Sequence, residues 1–172
     1  MVMRPKLHKY APLAVLLACP LLTACTPPNA GVTGMTLDAQ GRPTAVVAWC
    51  PGKAPDTIII SDVDDGDLDS DRTIILEAPG KFPGRTIQVP VTDPPAGWRA
   101  TPPSPSLDPN LVYSAYAPVT GSDYTARGPR FSLARLRGNG QILQQEYDEK
   151  TDRDVDIYIG MDELVRRANE YC

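Results

Sequence analysis

Short apolar runs alternate with polar turns along most of the chain, a pattern typical of β-strands. The runs at 31–37 and 43–50 are separated by the polar residues 38–42. Two apolar runs joined by a short turn that contains glycine indicate a β-hairpin. The run at 57–60, Thr-Ile-Ile-Ile, is rich in the β-branched residues that favour strands. We therefore expect a β-rich domain that begins with a hairpin.

Further strands are expected along the rest of the chain. Gly138-Asn139-Gly140 is a hairpin signal between two of them, and Pro90 indicates a sheet edge. About eight short strands with frequent turns predict an antiparallel β-sandwich or a barrel-like domain, with an immunoglobulin-like arrangement as one candidate. The further strands lie at 73–76, 85–91, 111–116, 130–136, 141–147 and 155–159.

The last residues of the chain change to a helical pattern. Asp162 and Glu163 stand where the first turn of a helix favours negative charge. We expect one amphipathic α-helix over 161–171, docked on the sheet. Its apolar positions recur at helical spacing: Met161, Leu164, Val165, Ala168 and Cys172.

Residues 90–109 contain seven prolines, which excludes a helix and disfavours a central strand. We expect an extended connector over the surface. Trp98 lies inside this segment, and packing against the domain is the favoured role over that of an exposed binding aromatic.

The N-terminus has the pattern of an export signal. Arg4, Lys6 and Lys9 precede an apolar block at 11–22, which ends in small residues. The block is shorter than the roughly 20 apolar residues that span a bilayer. We therefore expect residues 1–24 to be removed on export.

Leu22-Thr23-Ala24-Cys25 resembles the lipobox of bacterial lipoproteins. The resemblance implies a diacylglyceryl group on the Cys25 thiol, cleavage before Cys25, and a chain anchored by lipid to the cell membrane and facing outside the cytoplasm. Cys19 is the weaker alternative, because the bulky Leu17 stands two positions before it. Cleavage there would also leave the signal an apolar block of only six residues. The chain has 12 Arg against 5 Lys and is similar in this to small lipoproteins of high-GC Gram-positive bacteria.

The domain organisation follows from this signal. Residues 25–31 are expected to be a short lipidated tether and residues 32–172 a single β-rich domain. With Cys25 lipidated, Cys50 and Cys172 form an even pair in an oxidising environment, which predicts a disulfide bond. Two unpaired thiols are the alternative.

Charge and histidine content exclude several functions. Export removes three of the 17 basic residues, which leaves 14 against 21 acidic ones and a net charge of about −7. This acidic balance argues against nucleic-acid binding and against electrostatic docking to anionic lipid. The only histidine, His8, lies in the signal, so the mature chain lacks histidine-based catalysis and histidine zinc ligands. We expect no enzyme activity and no cofactor; a carboxylate-based hydrolase is a minor alternative.

The segment 61–72 is the one strongly acidic stretch. Carboxylates suit Ca²⁺, but Gly66 stands fifth from Asp62, whereas an EF-hand loop has its glycine sixth. A solvated acidic loop between two strands is the favoured interpretation, with an irregular Ca²⁺ site as the alternative. The candidate metal ligands are Asp62, Asp64, Asp65, Asp67, Asp69 and Asp71.

Together these features predict a membrane-anchored, non-catalytic binding or envelope-associated module. Its expected partners are the membrane, through the lipid, and another envelope protein. The alternatives are a module that binds Ca²⁺ or a small ligand through the acidic segment, and the hydrolase. Facing carboxylates in a cleft would favour the hydrolase, converging aspartates would favour calcium, and exposed tyrosines or Trp98 on a face would favour a protein partner.

Overall fold

The computed structural model describes residues 28–63 and 72–172. In these ranges the protein is mainly β, with one α-helix at the C-terminal end and a short 3₁₀ helix at Leu133–Arg135. The predicted fold class is therefore confirmed. The elements are β1 (Asn29–Leu37), β2 (Pro43–Trp49), β3 (Thr57–Asp62), β4 (Ile74–Glu77), β5 (Thr86–Pro90), β6 (Arg99–Thr101), β7 (Tyr113–Pro118), β8 (Thr125–Phe131), β9 (Ile142–Asp148), β10 (Arg153–Ile159) and α1 (Met161–Asn169).

The ten strands form one curled sheet, a half-barrel in which β1 is the branch point. One edge of β1 pairs with β2, and β5 pairs with the far side of β2. The other edge of β1 pairs with β8 near its start and with β9 at Met35. The sheet is mixed rather than wholly antiparallel, because β1 and β8 run parallel while the other pairs are antiparallel. The remaining order is β8, β7, β3, β4, β6.

The sheet buries side chains on both faces. The concave inner face holds the main core, with Trp49, Met35 and Phe131 among its largest fully buried side chains. On the outer face, α1 covers β1 and β2 and buries Leu164 and Ala168. Because β2 is covered on both faces, its sequence is a continuous apolar run without alternation.

The predicted disulfide partners lie together. The Cα atoms of Cys50 and Cys172 are 5.5 Å apart and their sulfur atoms are at bonding distance. Cys50 follows the end of β2 and is only 2% exposed. The pair therefore fastens the end of α1 to the end of the first hairpin.

Three local expectations need correction. The hairpin around Gly138-Asn139-Gly140 is wrong, because residues 133–135 form the 3₁₀ helix and β9 pairs with β10 and β1 instead. The strand β8 begins at Thr125, earlier than the expected 130, and β6 forms inside the proline-rich segment. Asn29–Gly31, expected in the tether, belong to β1 because they pair with β2 and β8.

Two other expectations are confirmed. The ring of Trp98 stacks on Phe82 with 5.4 Å between centroids, and Trp98 is half-buried against the main core. It therefore fastens the connector to the domain. The strand β5, which contains Pro90, pairs only with β2 and lies at a sheet edge.

Candidate functional site

The outer face of β7 and β8 carries a row of half-buried and exposed side chains beside the area that α1 covers. Along β7, Tyr113, Ala115 and Ala117 are buried in the core, while Ser114, Tyr116 and Pro118 point outward and are half-buried. This alternation is the period-2 pattern of a strand with one core face. Arg127 of β8 pairs directly with Tyr116 and is exposed. The outward residues of the two strands thus form one surface.

An open groove of about 500 Å³ lies on this surface. Its walls are outward residues of β7 and β8 and the turn at 119–124 that joins them. Tyr116, Tyr124 and Arg127 are its largest side chains. The groove therefore combines aromatic surface, hydroxyl groups and one cation.

A glycine sets the shape of the groove floor. A Cβ atom on Gly128 would lie 2.8 Å from the carbonyl oxygen of Thr33 and closer still to that of Ala115. The register between β7 and β8 shifts between Ser114 and Tyr116 at this point. Such a bulge re-aims neighbouring side chains. Here it places Arg127 opposite Tyr116.

The turn at 119–124, which forms one end of the groove, is held by local contacts. The Val119 amide donates to the Tyr124 carbonyl at 3.0 Å and closes the turn. The ammonium of Lys53 lies 3.6 Å from the centre of the Tyr124 ring, a cation–π contact that joins this turn to the loop after β2. Tyr124 is thus held in a defined position at the groove.

The titratable side chains of the groove favour binding over hydrolysis. Burial raises the pKa of Tyr116 above its ordinary value, which keeps the hydroxyl protonated as a hydrogen-bond donor. Asp123 is the only carboxylate among the described lining residues. Two facing carboxylates, the arrangement that would indicate a hydrolase, do not occur in this lining.

A smaller hollow of about 300 Å³ lies on the other side of Arg127. It is lined by amide side chains, including Asn29 and Gln144. The Oδ1 atom of Asn29 is buried and has no hydrogen-bond partner among the described residues. Arg127 and Gly128 line both concavities, so the hollow continues the groove towards the start of β1.

Of the six candidate metal ligands, the structure describes Asp62 alone. Its side chain is almost fully buried at the end of β3, and its Oδ2 atom is 3.1 Å from Nη1 of Arg72. Asp64, Asp65, Asp67, Asp69 and Asp71 lie outside the described residues. Within 28–63 and 72–172, no three His, Cys, Asp or Glu residues come close enough together to hold a metal ion.

Cys25, the expected lipidation site, also lies outside the described residues. The first described residue is Pro28, whose carbonyl accepts a hydrogen bond from the Thr125 amide at 3.2 Å. Tyr116, Tyr124 and Arg127 are not among the site residues predicted from the sequence. The alternation Tyr-Ser-Ala-Tyr-Ala-Pro over β7 is a signal that separates outward Tyr116 from inward Tyr113.

In the described ranges, no helix has the length and apolar character needed to cross a membrane. No protein family model, no curated protein and no solved structure matches this chain.

Proposed function

We propose that the protein is a lipid-anchored binding module outside the cytoplasm, which holds another envelope protein in the groove of Tyr116, Tyr124 and Arg127. The groove is the observation that carries the proposal. The anchor is inferred from the lipobox-like residues ending at Cys25. Two or three acyl chains on one cysteine hold a protein durably, whereas a single chain holds it only marginally.

The composition of the groove supports a protein partner. Tyrosine and arginine are enriched at protein interfaces and among the residues that carry most of the binding energy. Tyrosine supplies a large contact area at low conformational-entropy cost, and the groove has two. Ser114 and Ser122 add hydroxyl groups at its walls. An extended segment or loop of a partner fits such an open site.

A non-catalytic role is supported by the available side chains. Removal of residues 1–24 takes away the only histidine. The sulfur atoms of Cys50 and Cys172 lie at bonding distance, which leaves neither as a free nucleophile when the bond forms. A single groove carboxylate cannot supply the acid and base pair of a glycosidase.

The anchor is tested by two cysteine variants. Cys25→Ala is expected to abolish incorporation of labelled fatty acid and signal processing, whereas Cys19→Ala is expected to leave both unchanged. Lipid labelling and the electrophoretic mobility of the processed chain are the measurements. Labelling that survives in Cys25→Ala would overturn the anchor assignment.

The groove is tested by photo-crosslinking in cells that express the protein. Tyr116 is replaced by p-benzoylphenylalanine, and the matched control carries the same residue at Tyr147, which is 56% exposed and lies on β9. We expect a protein adduct of defined mass at position 116 but not at 147, reduced several-fold by Arg127→Ala. Equal adducts at both positions, or none at 116, would contradict the groove as the binding site.

A further inference from the structure

The strand directions give the domain two distinct ends. β1 and β8 run parallel, and Asn29 pairs with Thr125, so both strands start at one end. We call this the tether end; it also carries the loops 50–56, 78–85 and 119–124. Asp62 pairs with Tyr113, and Tyr113 pairs with Phe131 at the finish of β8. Val63 and Arg72, which flank the acidic segment, therefore lie at the opposite, distal end.

The chain between the lipidation site and the domain is very short. The strand β1 begins at Asn29, and Pro28 is hydrogen-bonded to the start of β8, so the domain already begins at Pro28. Only three Cα–Cα steps separate Cys25 from Pro28. At about 3.8 Å for each step, the reach is at most about 11 Å. The seven residues of β8 span about 20 Å from the tether end to the distal end. The tether is shorter than the domain is long.

We propose that the tether end contacts the phospholipid headgroup surface, and that the distal end with the flanks of the acidic segment points away from it. This orientation rests on the proposed lipid anchor at Cys25. Because the tether reaches only about half the length of β8, Pro28 stays within about 11 Å of the lipidated cysteine. The domain then contacts the headgroups through the loops 50–56, 78–85 and 119–124. The strand residues of the groove, Ser114, Tyr116 and Arg127, lie between this contact and the distal end and stay open to a partner.

An ion-pair network joins these three loops into one surface. The ammonium of Lys81 lies 2.9 Å from the carboxylate of Asp56 and 3.4 Å from the carbonyl oxygen of Thr120. The Thr120 hydroxyl donates to the same Asp56 carboxylate at 2.7 Å. One residue from each loop is thus bonded to the others. The surface meets the membrane as a unit rather than as separate flexible turns.

The side chains of the tether end suit a membrane interface. Lys53 packs its ammonium on the ring of Tyr124. Lysine and tyrosine combine an apolar body with a polar tip, and both are favoured at the level of the lipid headgroups. Pro51, Gly52 and Gly80 are exposed and compact residues, so the loops that carry them can approach the surface closely.

The two residues that flank the acidic segment, Val63 and Arg72, lie at the end of the domain far from the proposed membrane contact. Between Val63 and Arg72 the sequence carries five further aspartates beside Asp62. The flanks of this segment lie about 20 Å from the tether end, whereas charges are largely screened beyond about 8 Å at physiological salt. Negative charge at these flanks is therefore largely screened from a surface at the tether end.

Depth-dependent fluorescence quenching tests the orientation. The full-length protein, lipidated in a bacterial host, is reconstituted into phosphatidylcholine–phosphatidylglycerol vesicles that contain headgroup spin-labelled lipid. A fluorophore is attached without reductant to single added cysteines: Pro51→Cys or Pro83→Cys at the tether end, and Ala39→Cys or Ser104→Cys at the distal end. All four positions are exposed. We expect quenching to be several-fold stronger at the two tether-end positions.

Vesicle flotation separates the two proposals. Floating protein with equal or reversed quenching at the two ends overturns the orientation alone. Wild-type protein that does not float overturns the anchor and the orientation together. A flexible insert of about 20 Gly and Ser residues between Pro27 and Pro28 is the matched control. If the insert variant floats and its ratio of tether-end to distal-end quenching falls towards one, the result supports the short tether as the cause of the orientation. An unchanged ratio overturns this cause.

Discussion

The outer face of the sheet has a covered half and an open half, and they differ in the kind of side chain that points outward. On β1 and β2, the outward positions Val32, Val46 and Ala48 are apolar and lie under α1. On β7 and β8, the outward positions include Ser114, Tyr116 and Arg127. The covered half therefore resembles a core, whereas the open half resembles a binding interface.

The two halves also differ in how they are fastened. Three kinds of contact hold the helix on the covered half: apolar packing, the Cys50–Cys172 pair, and the ion pair between Arg167 and Glu146 of β9. The open half is held by its strand pairing and by the inner core. Loss of outward side chains should therefore be costly on the covered half and tolerated on the open half.

Removal of the disulfide is expected to have the largest effect. In the chain-entropy model a closed loop of this length stabilises by roughly 5 kcal/mol. We expect Cys50→Ala combined with Cys172→Ala to lower the free energy of unfolding by about 4 kcal/mol in urea titrations. Hydrogen exchange should increase in α1 more than in β7 and β8. A loss below about 1 kcal/mol would contradict fastening by this pair.

The apolar contact under the helix comes next. Leu164 is fully buried against β1 and β2, so Leu164→Ala is expected to cost about 3 kcal/mol through lost burial and a cavity. The matched change on the open half, Tyr116→Ala, is expected to cost less than about 1 kcal/mol. Urea midpoints of the two variants measure the contrast. Equal losses would show that the open half is as tightly packed as the covered half.

The two halves should respond to opposite extremes of pH. Hydrogen bonds from Arg166, and to a smaller extent from Arg167, lower the pKa of Glu163 from its ordinary 4.5 to about 2. This contribution to stability is present above pH 4.5 and is lost as the pH falls towards 2. Burial raises the pKa of Tyr116 above 10.0, so its contribution is present below pH 10.0 and is lost as the pH rises further.

Titrations followed by NMR measure both groups. The side-chain carbonyl signal of Glu163 should titrate near pH 2, and Arg166→Ala should move that midpoint towards 4.5. Tyr116→Phe keeps the ring and removes the hydroxyl, so it should diminish the alkaline loss of stability. A Glu163 midpoint that stays unchanged in Arg166→Ala would contradict the stated cause.

The smallest expected effect on stability is at the turn 119–124 of the groove. Lys53→Ala removes the cation–π contact with Tyr124 and is expected to cost about 0.5 kcal/mol. Lys53→Arg should keep the contact and most of the stability. Thermal melts of the two variants measure this difference. A larger loss in Lys53→Arg than in Lys53→Ala would contradict it.

The features that the sequence predicted correctly are local or depend on one chemical rule. The β1–β2 hairpin follows from two apolar runs and a short turn, and α1 follows from its helical spacing. The contact between Cys50 and Cys172 was expected because an even pair remained, although the two residues are far apart in the chain.

The features that were missed depend on distant partners. Pro129 and Gly128 disfavour a strand, yet β8 forms because a bulge accommodates them beside β7. The parallel pairing of β1 with β8 joins residues about 95 positions apart, and no local pattern indicates it. The groove is lined by β7, β8 and the turn between them, where Arg127 lies opposite Tyr116. The alternation along β7 separates outward Tyr116 from inward Tyr113, but the bulged register that brings Arg127 beside Tyr116 is not visible in the spacing.

The branch position of β1 determines how the domain would carry a mechanical load. If the proposed lipid anchor and the proposed groove partner pull against each other, the force enters the fold at Asn29, at the start of a strand that is hydrogen-bonded along both edges. Force along such a strand loads its flanking hydrogen bonds in shear and together, rather than one after another. The pair at Cys50 and Cys172 closes the remaining chain into a covalent ring, so only the first hairpin could be drawn out before that ring bears the tension.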